Sequence, residues 1–172
     1  MAYFWLIQNR SGSKSYEDIE GKIYHYRGTV SGADKLSESD LVVFYNSQRR
    51  SQSIFGVGRV TKIEGYLSFE GPSARRPVDQ IPRNAAELIE YFSEYDLDEV
   101  PPPNETVAEY FAHVGDYYEI EPPLDAHEVE DKLSFLKDKS GISGIPQVSI
   151  YELSKHDFNI ILDAAGLSDI NL

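Results

Sequence analysis

The first 55 residues carry an unusual mixture of flat rings and neutral amides. Tyr3, Phe4, Trp5, Tyr24, His25, Tyr26, Phe44, Tyr45 and Phe55 stand beside Gln8, Asn9, Asn46, Ser47 and Gln48. Rings stack on flat partners, and amides both donate and accept hydrogen bonds. Together they suit a planar heterocycle, since a base lifted out of its stack is held by stacking and by hydrogen bonds to its Watson–Crick edge. The plainer explanation stands beside this one: aromatic residues on strands commonly fill a core or pair across a sheet.

Other chemistries find little purchase. There is no cysteine, which removes thiolate metal sites, cysteine nucleophiles and iron–sulfur clusters. His25, His113, His127 and His156 share no i,i+4 spacing and no HExxH pattern. No GxSxG elbow, GxGxxG loop or GxxxxGK[ST] loop is present. Gly56 and Gly58 are alternate residues of one extended run, a pattern that marks close approach to a backbone rather than a phosphate loop. The acidic pairs of residues 84–139 read as solvated helix faces. The sequence therefore points to a binding module, with no cofactor and no metal expected.

The net charge of -13 argues against nucleic acid when taken in bulk, because phosphate binding is driven by Lys and Arg releasing counterions. It divides unevenly, however. Residues 1–83 hold 12 basic and 9 acidic side chains, a net of +3, and residues 84–172 hold 4 and 20, a net of -16. The basic residues gather at expected loop tips: Lys14, Arg49 and Arg50, and Arg75 and Arg76. These are candidate phosphate contacts, although arginine at a loop tip is also ordinary solvated surface. On this division the mildly basic half would face phosphates and the acidic half would face away.

The elements that must position these residues are legible in outline. Residues 3–9 and 40–46 are aromatic or apolar at successive positions and read as strands, the second covered on both faces. Residues 22–27 alternate and suit a short extended segment, and residues 54–63 should form a hairpin with the run before them. From residue 82 helix start signals appear: Asn84 with Glu87, Asp125 with Glu128, and Ser154 with Asp157, each a capping residue with a carboxylate three positions on. Residues 117–120 and 147–152 read as strands between helices. Strands first and helices interleaved later give an α+β fold, a small curved sheet or barrel with helices on its flank. No run approaches the roughly 20 apolar residues of a membrane span, so a cytoplasmic protein is expected.

The order of motifs resembles the PUA-like superfamily, and within it EVE and YTH domains. The resemblance rests on the first strand, residues 3–9; on Gly21-Lys22-Ile23-Tyr24-His25-Tyr26; on Ser39-Asp40-Leu41-Val42-Val43-Phe44-Tyr45-Asn46-Ser47 followed by Phe55-Gly56-Val57-Gly58; and on the tail over residues 150–161. Ser39-Asp40 stands where EVE domains carry Gly-Asp, and Asn46 replaces a histidine. The resemblance covers about residues 3–64 and 145–166. It implies a single domain over residues 1–172 with an acidic helical insertion at about residues 84–139. It also implies a barrel whose aromatic pocket takes a methylated base of DNA, as in the specificity domains of McrBC-type modification-dependent restriction proteins. A GTP-driven motor or nuclease would then lie outside this chain. By position it designates Gln8, Asn9, Tyr24, His25, Tyr26, Tyr45, Asn46 and Ser47 as pocket candidates; Trp5, on the strand face of Ile7 and Asn9, and Phe55, from the concentration of rings, complete the set. An RNA-binding PUA-like module, or an interaction module whose acidic half docks a basic protein, are the alternatives.

Overall fold

Residues 41–46 are buried at every position, as a strand covered on both faces must be. They form the third strand of the computed structural model, which describes residues 1–9, 18–48, 52–68, 76–78, 90, 107–145 and 150–172. The strands are Tyr3–Ile7 (β1), Ile23–Arg27 (β2), Leu41–Asn46 (β3), Ser53–Ser68 (β4), Arg76–Val78 (β5), Val107–Asp125 (β6) and Tyr151–Leu153 (β7). Lys155–Ala164 is an α-helix, α1. The sheet runs β2-β6-β4-β3-β1-β7, with β5 on the side of β4. β1 lies parallel to β3, Trp5 opposite Val43, and every other pairing is antiparallel. β3 and β4 form the expected hairpin.

Curvature comes from the long ribbon of β4 and β6. Its register shifts three times, between Ile54 and Gly56, Val57 and Arg59, and Val60 and Lys62, and each irregularity bends and twists the pair. The sheet coils until its two ends almost meet. Just before β7, Ile150 N donates to Ser31 O, in the segment after β2, at 2.9 Å. At Gly32 a Cβ would lie 2.2 Å from Ile150 O, so only glycine permits this approach. The result is a small barrel closed by a stitch rather than a full ladder.

Alternation along the strands sorts the apolar residues into two cores. Inside the barrel lie Phe4, Leu6, Tyr24, Tyr26, Val42, Phe44, Phe55 and Val60. On the outer face Trp5, Val43, Tyr45, Ile54 and Val57 pack against Leu133, Leu136, Phe158 and Ile161. α1 supplies the last two, and it starts where expected: Ser154 Oγ accepts from Asp157 N at 3.0 Å.

Two expectations for the acidic stretch are corrected. Residues 107–125 are one 19-residue strand, not part of a helical insertion, and β6 lies in the sheet between β4 and β2. β6, which belongs to the acidic half of the sequence, thus lies between two strands of the basic half instead of facing away from them. After Asp125, whose carboxylate does cap by accepting from His127 N, the chain makes short 3-10 turns at Ala126–Glu128, Ser134–Leu136 and Gly141–Gly144. An α-helix is blocked there because Ser134 N and Phe135 N, which should bond within such a helix, donate to the buried Asp157 carboxylate at 2.8 and 3.2 Å. The helix expected from Asn84 lies outside the described residues apart from Glu90. Among the described residues no helix is long and apolar enough to cross a membrane.

Candidate nucleic-acid interface

Because the rings of β1 and β3 alternate between two cores, the aromatic candidates cannot wall a single pocket. Trp5 is fully buried on the outer face, its ring 4.7 Å from Tyr45 and 5.3 Å from Phe135. Burial, and the nearby carboxylates of Glu130 and Asp125, push the Tyr45 hydroxyl up to about 12. Tyr24, Tyr26 and Phe55 lie on the other side, within the barrel. Tyr26 stacks between Tyr24 at 5.4 Å and Tyr110 at 5.1 Å, a column that fills the interior. His25 points the opposite way from its two tyrosine neighbours. Its ring stacks on Phe111 at 4.3 Å, and Nε2 meets Glu109 Oε1 at 3.1 Å, a partner 84 residues away that spacing could not reveal. The rings therefore divide among three environments, and most of them are structural.

The amides, in contrast, do converge. Gln8 shares the inward face of Phe4 and Leu6, and its buried amide joins the end of β1 to the start of β2. Nε2 donates to Ile23 O at 2.9 Å and to Asp18 Oδ1 at 3.2 Å, while Oε1 accepts from Gly21 N at 3.1 Å. Asp18 Oδ1 also accepts from His25 N at 2.9 Å. Desolvation nevertheless dominates and raises the Asp18 carboxyl above its ordinary value, against the pull of those two hydrogen bonds. Next to this corner, Asn9 Oδ1 accepts from Ser47 N and Oγ, both at 3.0 Å, and Asn46 Oδ1 accepts from Gln48 N at 3.0 Å. The side-chain N–H groups of Asn9 and Asn46 make no hydrogen bond among the described residues. One end of the barrel thus holds two amides, Asn9 half-buried and Asn46 buried, beside a tied amide–carboxylate corner.

The segments holding Lys14 and Arg49-Arg50 lie outside the described residues. Their flanks, Asn9 and Asp18, Gln48 and Gln52, all lie at this end of the barrel. His127 joins them there: Nε2 meets Gln52 Oε1 at 2.6 Å and Nδ1 meets Glu130 Oε1 at 3.1 Å. The hydrogen bond to Glu130 raises the His127 pKa above its ordinary value. Arg75 lies outside the described residues, and the backbone of Arg76 pairs with Leu67 at the far end of β4. Of the five expected basic contacts only Arg76 falls among the described residues, its backbone at the end of β4 opposite Gln52.

Two further participants escaped the sequence reading. One is Asp18. The other is Tyr117 of β6, whose ring lies against the backbone of Gly56 and of Gly21. The alternate glycines of β4 did carry the signal that something approaches: at Gly56 it is Tyr117, and at Gly58 it is Val114. What approaches is the chain itself.

With this geometry in place, the comparisons agree on the architecture. No protein-family model matches the sequence, and no curated protein does. Solved structures do. The chain superposes on the N-terminal domain of Staphylothermus marinus McrB with a TM-score of 0.52 at 12% identity, covering 94% of this chain and 93% of that one. A protein from Pseudomonas putida gives 0.52 at 14% identity over 95% and 99% of the two chains. ZmASCH from Zymomonas mobilis gives 0.52 at 10% identity over 94% and 95%. These likenesses show the fold: an α+β architecture on a strongly curved mixed sheet, shared with these three structures.

Proposed function

We propose that this domain binds nucleic acid and draws a single base out of its stack to the amide-lined end of the barrel. The observation that carries the reading is the convergence there of the Asn9 and Asn46 donors with the Gln8–Asp18 corner. The segments bearing Lys14, Arg49 and Arg50 leave from the same end. Amide donors suit the acceptor edge of a pyrimidine or purine, and flanking cations suit its phosphates. The finer reading is that the base is methylated and the domain supplies specificity to a modification-dependent restriction system, the catalytic chemistry residing elsewhere. A methyl group filling an apolar niche adds on the order of 1 kcal/mol.

The test is a binding series on duplexes that differ at one base: 5-methylcytosine, 5-hydroxymethylcytosine, 6-methyladenine and the unmodified pair. A preference of fivefold or more for one modified duplex is expected. Equal affinity for all four, or a stronger grip on a matched RNA, would overturn the reading.

A further inference from the structure

Between Val57, opposite Tyr118, and Arg59, opposite Gly115, β4 has one residue while β6 has two, Asp116 and Tyr117. That extra residue is a bulge, and Asp116 takes φ 47°, a left-handed conformation uncommon for a side-chain-bearing residue. Bulges re-aim side chains and recur beside functional sites. Here the bulge turns Tyr117 into the barrel end. Its ring lies on bare backbone at two places: a Cβ on Gly21 would sit 2.6 Å from Cζ, and one on Gly56 would sit 2.3 Å from Cε2 and from Oη. Phe44 meets the ring edge-on at 5.9 Å. The hydroxyl donates to Phe55 O at 3.3 Å, long for an O–H donor. The ring is half-buried.

These walls are two glycine backbones, an aromatic edge and a carbonyl acceptor, next to Gln8, which accepts from Gly21 N. A planar base with an exocyclic amine would find the same surroundings. We propose that the space between Gly21 and Gly56 is a ring slot for the extruded base, and that Tyr117 is its resident occupant, displaced when the base enters. The proposal rests on the base-reading function above. An occupied slot lowers apparent affinity by the fraction of molecules in which the tyrosine is out. Weakening its hold should therefore tighten binding.

The test uses duplexes carrying one 5-methylcytosine or one 6-methyladenine. They are titrated against the wild type, Tyr117→Phe and Tyr117→Ala, and against protein with 3-fluorotyrosine placed at position 117. Tyr117→Phe keeps the ring and removes the bond to Phe55 O, so about two- to tenfold tighter binding is expected. Tyr117→Ala, if it melts cooperatively, should bind at least as tightly as Tyr117→Phe. On titration the fluorine resonance should move to a solvent-exposed position; if the alanine variant does not fold, this measurement and the phenylalanine variant decide. A modified duplex that binds without moving the resonance, or variants that bind no better than the wild type, would overturn the slot and leave the base-reading function standing. If no duplex binds to the wild type or to any variant, both fall.

Discussion

At the scale of single residues, side chains that look alike in the sequence do different work. Trp5, the sole tryptophan, has a buried indole N–H with no hydrogen-bond partner among the described residues, on the outer core and away from the amide-lined end. Its fluorescence should be blue-shifted and should not change when nucleic acid binds, and Trp5→Ala should cost about 3–5 kcal/mol of stability. A fluorescence titration run beside a thermal melt checks both. Asn46 is the opposite case. Asn46→Asp keeps the acceptor used by Gln48 N and deletes the side-chain donor, so oligonucleotide affinity should fall about tenfold, and because the new carboxylate is buried the melting temperature should fall too. Gel-shift titration against a melt of the same sample separates the two effects. Asp18 is half-buried and its carboxyl is raised by desolvation. The sign follows: the folded state binds this proton more readily than the unfolded chain, so Asp18 favours folding at low pH and that contribution is lost as pH rises through the raised value. Asp18→Asn retains an oxygen for His25 N and should be neutral or stabilising at pH 7. Asp18→Ala should destabilise by about 1–3 kcal/mol, and melts between pH 3 and 8 distinguish the pair.

At the scale of elements, Asp157 is the joint between α1 and the turns before it. Its carboxylate accepts from Ser134 N, Ser134 Oγ and Phe135 N while its own N–H is capped by Ser154. Asp157→Ala should cost roughly 3 kcal/mol or more, read by chemical denaturation, and Ser154→Ala about 1 kcal/mol. The start of α1 was legible because a cap is a local device. So were β1, β3 and the hairpin of β3 with β4, because runs of buried aromatic and β-branched residues leave few alternatives. The helix expected after Asp125 was not borne out, since the carboxylate that diverts its backbone lies 23 residues further on. β6 was recognised only over residues 117–120. Its alternation is interrupted by the bulge at Asp116 and Tyr117, and its Glu109 is buried against His25, a contact the local pattern does not contain. The ring candidates, put forward as walls of one pocket, are buried aromatics that divide between faces. Where both faces of a strand are covered, composition cannot tell Phe4's face from Trp5's, and the single pocket came apart for that reason. The amide cluster held together because Gln8, Asn9, Asn46 and Ser47 all lie where parallel β1 and β3 end side by side.

At the scale of the whole molecule, the charge of -13 no longer divides into a basic and an acidic face, because β6 threads between β4 and β2. If, as proposed, Lys14, Arg49 and Arg50 supply the phosphate contacts, the slope of log affinity against log salt should be about -3 for a duplex. Replacing Arg49 and Arg50 together should reduce that slope by about 2, whereas Arg76→Ala should leave it unchanged, in titrations between 50 and 200 mM salt. The architecture also fixes when the barrel can exist at all. β1 is flanked by β3 on one side and by β7 on the other, and the stitch that closes the sheet joins Ser31 to Ile150. A chain emerging from the ribosome can make the hairpin of β3 and β4 early, but β1 keeps a bare edge until residue 153 has cleared the exit. Nascent chains arrested before that point should be protease-sensitive throughout and engage holding chaperones, and those arrested beyond α1 should become resistant in one step.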